Sequence, residues 1–122
     1  MLITFENQTH ELTEYEYKVI MPILIDGLKR KVGKSKAVTN GKICSSLKSK
    51  GYKVSEPRIR KIIYFIRQNN AVPMLIASSK GYWVTNDVDE INDWLHSLKS
   101  RIEAMQETKN YAEEMLDTIN KI

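Results

Sequence analysis

Apolar positions recur at helical spacing in four stretches of this chain and alternate with polar ones in a short stretch near residue 80. Tyr15, Val19, Ile20, Ile23, Leu24 and Leu28 form the first stripe, opened by Thr13 and Glu16 at capping-box spacing. Pro22 interrupts it, which predicts a kink or two short helices with Pro22 in the first turn of the second. Gly33 is its expected end. Ala37, Val38 and Thr39 predict a brief strand. Thr39 or Asn40 then caps a second helix carrying Ile43, Cys44 and Leu47 and stopping at Gly51. Ser55 opens a third helix, with Pro57 in its first turn, that runs to about Gln68 and breaks at Asn69 and Asn70. Ile59, Ile62, Ile63 and Ile66 give this helix a single apolar face.

Val72 to Ala77 and Tyr82 to Thr85 predict a hairpin around a turn of Ser78, Ser79, Lys80 and Gly81, where Gly81 can supply a positive φ. Pro73 has no N–H to give a ladder, so the first strand should be short or at an edge. Tyr82 and Trp83 point to opposite faces of their strand, one onto the core and the other nearer the surface. Asp87, Asp89 and Glu90 then place favourable negative charge in the first turn of a last helix. Val88, Ile91, Leu95, Leu98, Ile102, Met105, Ala112, Leu116 and Ile119 fall on its a and d heptad positions, with Lys109 the one polar intrusion. That pattern predicts a coiled-coil seam and a homodimer through Leu95, Leu98, Ile102, Met105, Leu116 and Ile119; a folded-back helical hairpin and an intramolecular amphipathic helix are the rival arrangements. The expected organisation is an arm at 1–12, a domain at 13–86 and a heptad helix at 87–122. The fold class is mainly α with a small β-hairpin.

Composition narrows the setting. A chain of 122 residues that is 42% hydrophobic holds one small core with an appended helix. The single cysteine, Cys44, excludes an internal disulfide and suits a reducing compartment. No apolar run reaches membrane-spanning length, and the opening MLITFENQTH lacks a secretion-signal pattern, so a cytoplasmic location is expected.

Charge changes the picture most. Residues 27–83 carry fourteen Lys and Arg against one acid, Glu56, a net of +13. The flanking segments, with one base against five acids and four against nine, carry −4 and −5, so the total of +4 hides a strongly polarised molecule. A cationic block of domain size is the electrostatic footprint of a nucleic-acid binder. Within it, the third helix turns Pro57, Lys61, Tyr64 and Gln68 away from its isoleucine face, with Arg58 and Arg60 on the flanks. Arg58 or Arg60 can pair bidentately with guanine, and Lys61 and Tyr64 can reach bases or phosphates. Lys80 sits at the hairpin tip beside Ser78 and Ser79, placed for backbone phosphate or a minor groove, while Lys53 and the other lysines add general field. Catalysis finds little support: His10 and His96 are far apart, no Cys/His cluster has metal-ligand spacing, and no glycine loop is built to cradle phosphate. Cys44 falls near an apolar face and reads as core. The expectation is a non-enzyme with no cofactor.

The segments TNGKICSSLKSKG, SEPRIRKIIYFIRQNN and MLIASSKGYWVT together resemble the winged helix-turn-helix superfamily of DNA-binding proteins, over Thr39 to Thr85. More loosely, the chain is similar to small winged-helix proteins of phages and mobile elements. The resemblance implies double-stranded DNA binding, with helix 55–68 in the major groove and the wing at 72–85 on the backbone. It implicates Arg58, Arg60, Lys61, Tyr64 and Lys80. The function expected is a dimeric transcriptional regulator. Its rivals are a phage replication or genome-handling protein, and a protein-binding adaptor or inhibitor that meets an acidic partner.

Overall fold

The computed structural model describes residues 12–121; the arm expected at 1–12, Leu12 apart, and His10 with it lie outside the described residues. The protein is mainly helical, with one two-stranded antiparallel hairpin and a long last helix. It divides into two compact units, Met1–Asn86 and Asp87–Ile122.

In the first unit, helix α1 covers 14–29. Thr13 and Glu16 close the expected capping box: the Thr13 N–H donates to Glu16 Oε1 at 2.9 Å, and the Glu16 N–H to Thr13 Oγ1 at 3.1 Å. The helix then widens into a π turn, Glu16–Ile20, and returns to α geometry over Met21–Lys29, so Pro22 does fall in the first turn of the α-helical piece. Pro22 explains the change: it has no N–H to donate, and the Met21 N–H reaches back to the Glu16 carbonyl just before it. The helix stops at Lys29, short of Gly33, because the chain straightens to pair with the hairpin. Val84 donates to the Lys31 carbonyl at 2.8 Å, and the Gly33 N–H to the Val84 carbonyl at 2.9 Å. A short 3-10 turn follows at Lys34–Lys36.

The strand expected at 37–39 is reduced to a single bridge, Val38 with Tyr82. Thr39 ends it and caps α2, Asn40–Ser49, by accepting from the Lys42 N–H at 3.2 Å. Gly51, at φ +91°, ends α2 in a Schellman motif: the Tyr52 N–H donates to the Leu47 carbonyl and the Gly51 N–H to that of Lys48. Helix α3, Glu56–Gln68, ends the same way with Asn70 in the left-handed position, at φ +51°. Ser55 precedes α3 with extended backbone but makes no side-chain cap bond. Strands β1, Leu75–Ser78, and β2, Gly81–Val84, pair around Ser79 and Lys80. The first strand starts three residues later than expected because Pro73 and Met74, at φ +56°, turn the chain.

The core lies among these pieces. Ile59, Ile62, Ile63 and Ile66 of α3 are buried against Ile20, Leu24 and Leu28 of α1, Ile43 and Leu47 of α2, Val72 and Leu75. Burying each isoleucine contributes about 2 kcal/mol, which makes α3 the pillar of the unit. Cys44 is half-buried, and its thiol donates to the Val54 carbonyl at 3.1 Å. Tyr82 is half-exposed and packs on this core, with its hydroxyl 3.0 Å from Asn40 Oδ1. Trp83, on the other face of the hairpin, is buried, so Tyr82 is the one nearer the surface.

Two contacts lock the arrangement. The Arg58 guanidinium forks onto the Glu16 carboxylate, with Nε 2.6 Å from Oε2 and the terminal nitrogen on Oε1. One glutamate therefore caps α1 and ties it to α3. The other contact is Gly81, whose φ is +112°; a Cβ there would lie 2.4 Å from the Val38 carbonyl oxygen. Only glycine lets the hairpin tip lie so close to that backbone.

Gly81→Ala should therefore cost at least about 2 kcal/mol, lowering Tm by roughly 8 °C or more, through left-handed strain and displacement of the Val38 bridge. Gly51→Ala is the control, since its φ is also positive but nothing lies within 4 Å of the added Cβ; it should cost only about 1 kcal/mol in the same thermal unfolding experiment.

The Arg58 fork, foremost, holds the Glu16 carboxyl below its ordinary 4.5, with the Thr13 bonds adding to it against the cost of burial. A depressed folded-state pKa gives stability that is present above 4.5 and lost as pH falls through the folded value. Urea unfolding across pH should show that loss in the native chain and a shallower acid slope in Glu16→Gln. Arg58→Ala, which strands a nearly buried carboxylate, should cost about 2 kcal/mol at pH 7; this is less than for a fully buried pair because Arg58 is part-exposed.

Candidate nucleic-acid interface

Helix α3 has three distinct sides. The isoleucine side is buried, and one flank lies along α1 through the Glu16–Arg58 fork and an edge-on contact of Tyr17 with Phe65, their ring centres 5.9 Å apart. The remaining arc carries Pro57, Arg60, Lys61, Tyr64, Arg67 and Gln68, of which only Lys61 is half-buried. This corrects the expectation for Arg58. Its fork is occupied by Glu16, a residue 42 positions away in the chain, so Arg58 holds α3 on α1 and does not offer its guanidinium to a base.

Arg60 does face outward, and so does Arg67, which is not among the residues the sequence pattern singles out. Arg67 follows Arg60 by seven residues and Tyr64 by three, which puts the three on one stripe. The signal for Arg67 in the sequence is this i, i+4, i+7 spacing. Neither Arg60, Lys61 nor Arg67 forms an ion pair or side-chain hydrogen bond among the described residues. An arginine with no carboxylate to satisfy its fork is open to a planar acceptor pair or a phosphate.

Lys53 is exposed in the loop that joins α2 to α3, at the N-terminal end of the same helix. Lys80 is exposed at the hairpin tip, where its N–H is fixed by the Ser78 hydroxyl at 3.0 Å and its ammonium is without a partner among the described residues. A shallow cleft between α1 and α2 is floored by Leu24 and Leu47 and rimmed by Arg30, Lys31, Lys42 and Lys50, which extends the cationic surface. Within this unit, Glu56 is the lone acid from residue 27 to 83, and it sits exposed in the first turn of α3, where the helix dipole favours it.

The second unit is helix α4, Val88–Asn120, capped by Asp87, whose Oδ1 accepts from the N–H groups of Asp89 and Glu90. Asp87 is thus the cap and not part of the first turn. The seam residues Leu95, Ile102, Met105, Leu116 and Ile119 are all exposed, Met105 at 72%, and Leu98 lies on the same seam. Lys109 bonds Glu113 one turn on, at 2.9 Å.

Among the described residues no cluster of His, Cys, Asp and Glu could hold a metal ion, and no helix is long and apolar enough to cross a membrane. Comparison with protein-family models, with curated proteins and with solved structures finds no match to this chain.

Proposed function

We propose that residues 13–86 are a winged helix-turn-helix domain that binds double-stranded DNA, and that the protein is a dimeric regulator of transcription. In this reading α2 and α3 are the helix-turn-helix, α3 enters the major groove, and the hairpin is the wing on the backbone. The observation that carries the reading is the outer arc of α3. Arg60, Lys61, Tyr64 and Arg67 form no ion pair or side-chain hydrogen bond among the described residues, on a helix whose opposite face is fully committed to the core. Such a helix has fixed position and free chemistry, the combination base readout needs.

Lys53 and Lys80 add phosphate contacts at the helix N-terminus and the wing tip, and the +13 block supplies the non-specific attraction. Arg60 and Arg67 are the candidates for guanine, Tyr64 and Lys61 for base or phosphate. The exposed seam of α4 supplies the second copy, and two linked domains suit an operator with two half-sites.

The test is fluorescence anisotropy with the purified protein and random duplex DNA across a salt series. The expected result is a log affinity that falls steeply and linearly with log salt. Arg60→Ala with Arg67→Ala should weaken binding about tenfold or more and flatten the slope by up to about 2, while leaving the circular dichroism unchanged. No binding at low salt, or unaltered binding by the double variant, would overturn the reading.

A further inference from the structure

The seam of α4 is uneven along its length, and that unevenness bears on how two copies would meet. Its first part offers Leu95, Leu98, Ile102 and Met105, all bulky and apolar, whereas Lys109 and Ala112 follow in succession before Leu116 and Ile119. In a parallel pair each residue faces its own counterpart. Lys109 would then meet Lys109 and Ala112 would meet Ala112, which leaves a like-charge layer beside an underfilled one in mid-helix. Reversing one helix changes every partner, because each a position then lies against a d position. With the helices centred near Glu107, Leu95 faces Ile119, Leu98 faces Leu116, Ile102 faces Ala112 and Met105 faces Lys109. A bulky apolar side chain occupies every layer, and each small or charged residue has a long apolar one opposite.

The charges give the same answer independently. Lys99 and Arg101 are the only cations in the first half of α4, and Glu113, Glu114 and Asp117 cluster in the second. In a parallel pair e faces g, so Lys99 meets Trp94, Arg101 meets Gln106 and Glu113 meets Thr108, and no opposite charges face each other across the seam. The antiparallel register brings e onto e, and so sets Lys99 of one copy against Glu113 of the other. The seam itself is free to be covered, since Ile102, Met105, Leu116 and Ile119 are each more than half exposed.

We propose that α4 pairs antiparallel with α4 of a second copy, about a two-fold axis near Glu107. The inference rests on the dimer part of the proposed function and is independent of the DNA part. A two-fold pairing of this kind is closed, so it stops at two chains. It also sets a dimension: the two Val88 residues, where each α4 begins, lie about 57 Å apart along the helix axis. The chain therefore enters the pair at opposite ends in the two copies.

Spin labels on outward f positions test the orientation in the full-length chain, with Cys44→Ser removing the native thiol. Asp93→Cys and Glu107→Cys are made as separate variants and measured by double electron–electron resonance beside sedimentation equilibrium. The antiparallel pair predicts a short separation of roughly 20 Å at position 107 and more than about 40 Å at position 93. A dimer with equal separations at both positions would overturn the antiparallel orientation and leave the dimer intact. A monomer at all concentrations tested would overturn the dimer reading and this inference with it.

Discussion

The first unit depends on the commitment of one helix face. Ile59, Ile62, Ile63 and Ile66 are each no more than 1% exposed, and they contact residues from α1, α2 and the approach to the hairpin. Isoleucine is branched at Cβ and has few rotamers on a helix, so four of them in one stripe give a stiff wall with little room to rotate. Fixing the rotation of α3 about its axis fixes its outer arc as well. Arg60, Lys61, Tyr64 and Arg67 are directed outward by burial on the far side of the same helix; none of the four forms a side-chain hydrogen bond or ion pair among the described residues.

Much of this was legible in the sequence because the signals were local. The isoleucine spacing, the Thr13–Glu16 capping box, the Gly51 stop and the hairpin around Ser79 and Lys80 each involve residues within a few positions of one another, and each appears where the pattern put it. Strand ends were less legible. Ala37, Val38 and Thr39 have strand propensity, yet only Val38 pairs, because how much of a strand forms depends on how many residues its neighbour offers. The π turn was not legible either: Pro22 announced a disturbance, but its form depends on which carbonyls find donors.

The candidate site was half legible for the same reason. Charge clustering and helical period identified α3 as the helix to watch and Arg60, Lys61 and Tyr64 on its outer side. They could not separate Arg58 from Arg60, two arginines that the helical wheel places on opposite flanks of equal standing. The difference is long-range: Glu16 lies on the Arg58 side and pairs with it, whereas Glu56, one turn before Arg60, forms no ion pair with it. Once Glu16 is placed, the capping box and the ion pair become one device. The carboxylate that begins α1 also neutralises the single arginine of α3 that would otherwise be buried against it, at the flank where α1 packs. The opposite flank carries Arg60 and Arg67, neither of which forms an ion pair among the described residues.

The two units then obey opposite rules. In the first, apolar residues are spent inward and most cations are left on the surface; in the second, apolar residues remain outward and the charges are mostly acidic. An exposed row of Leu, Ile and Met along a helix is stable only if something covers it, and a heptad repeat is the spacing that a second helix covers best. A self-complementary cover must satisfy both the seam and its flanks with one register. In α4 the fault in the seam, Lys109 and Ala112, and the separation of Lys99 from Glu113 along the helix are relieved by the same reversal about the same centre. Two independent features that select one geometry constrain α4 more tightly than the heptad alone, which is equally satisfied by either direction.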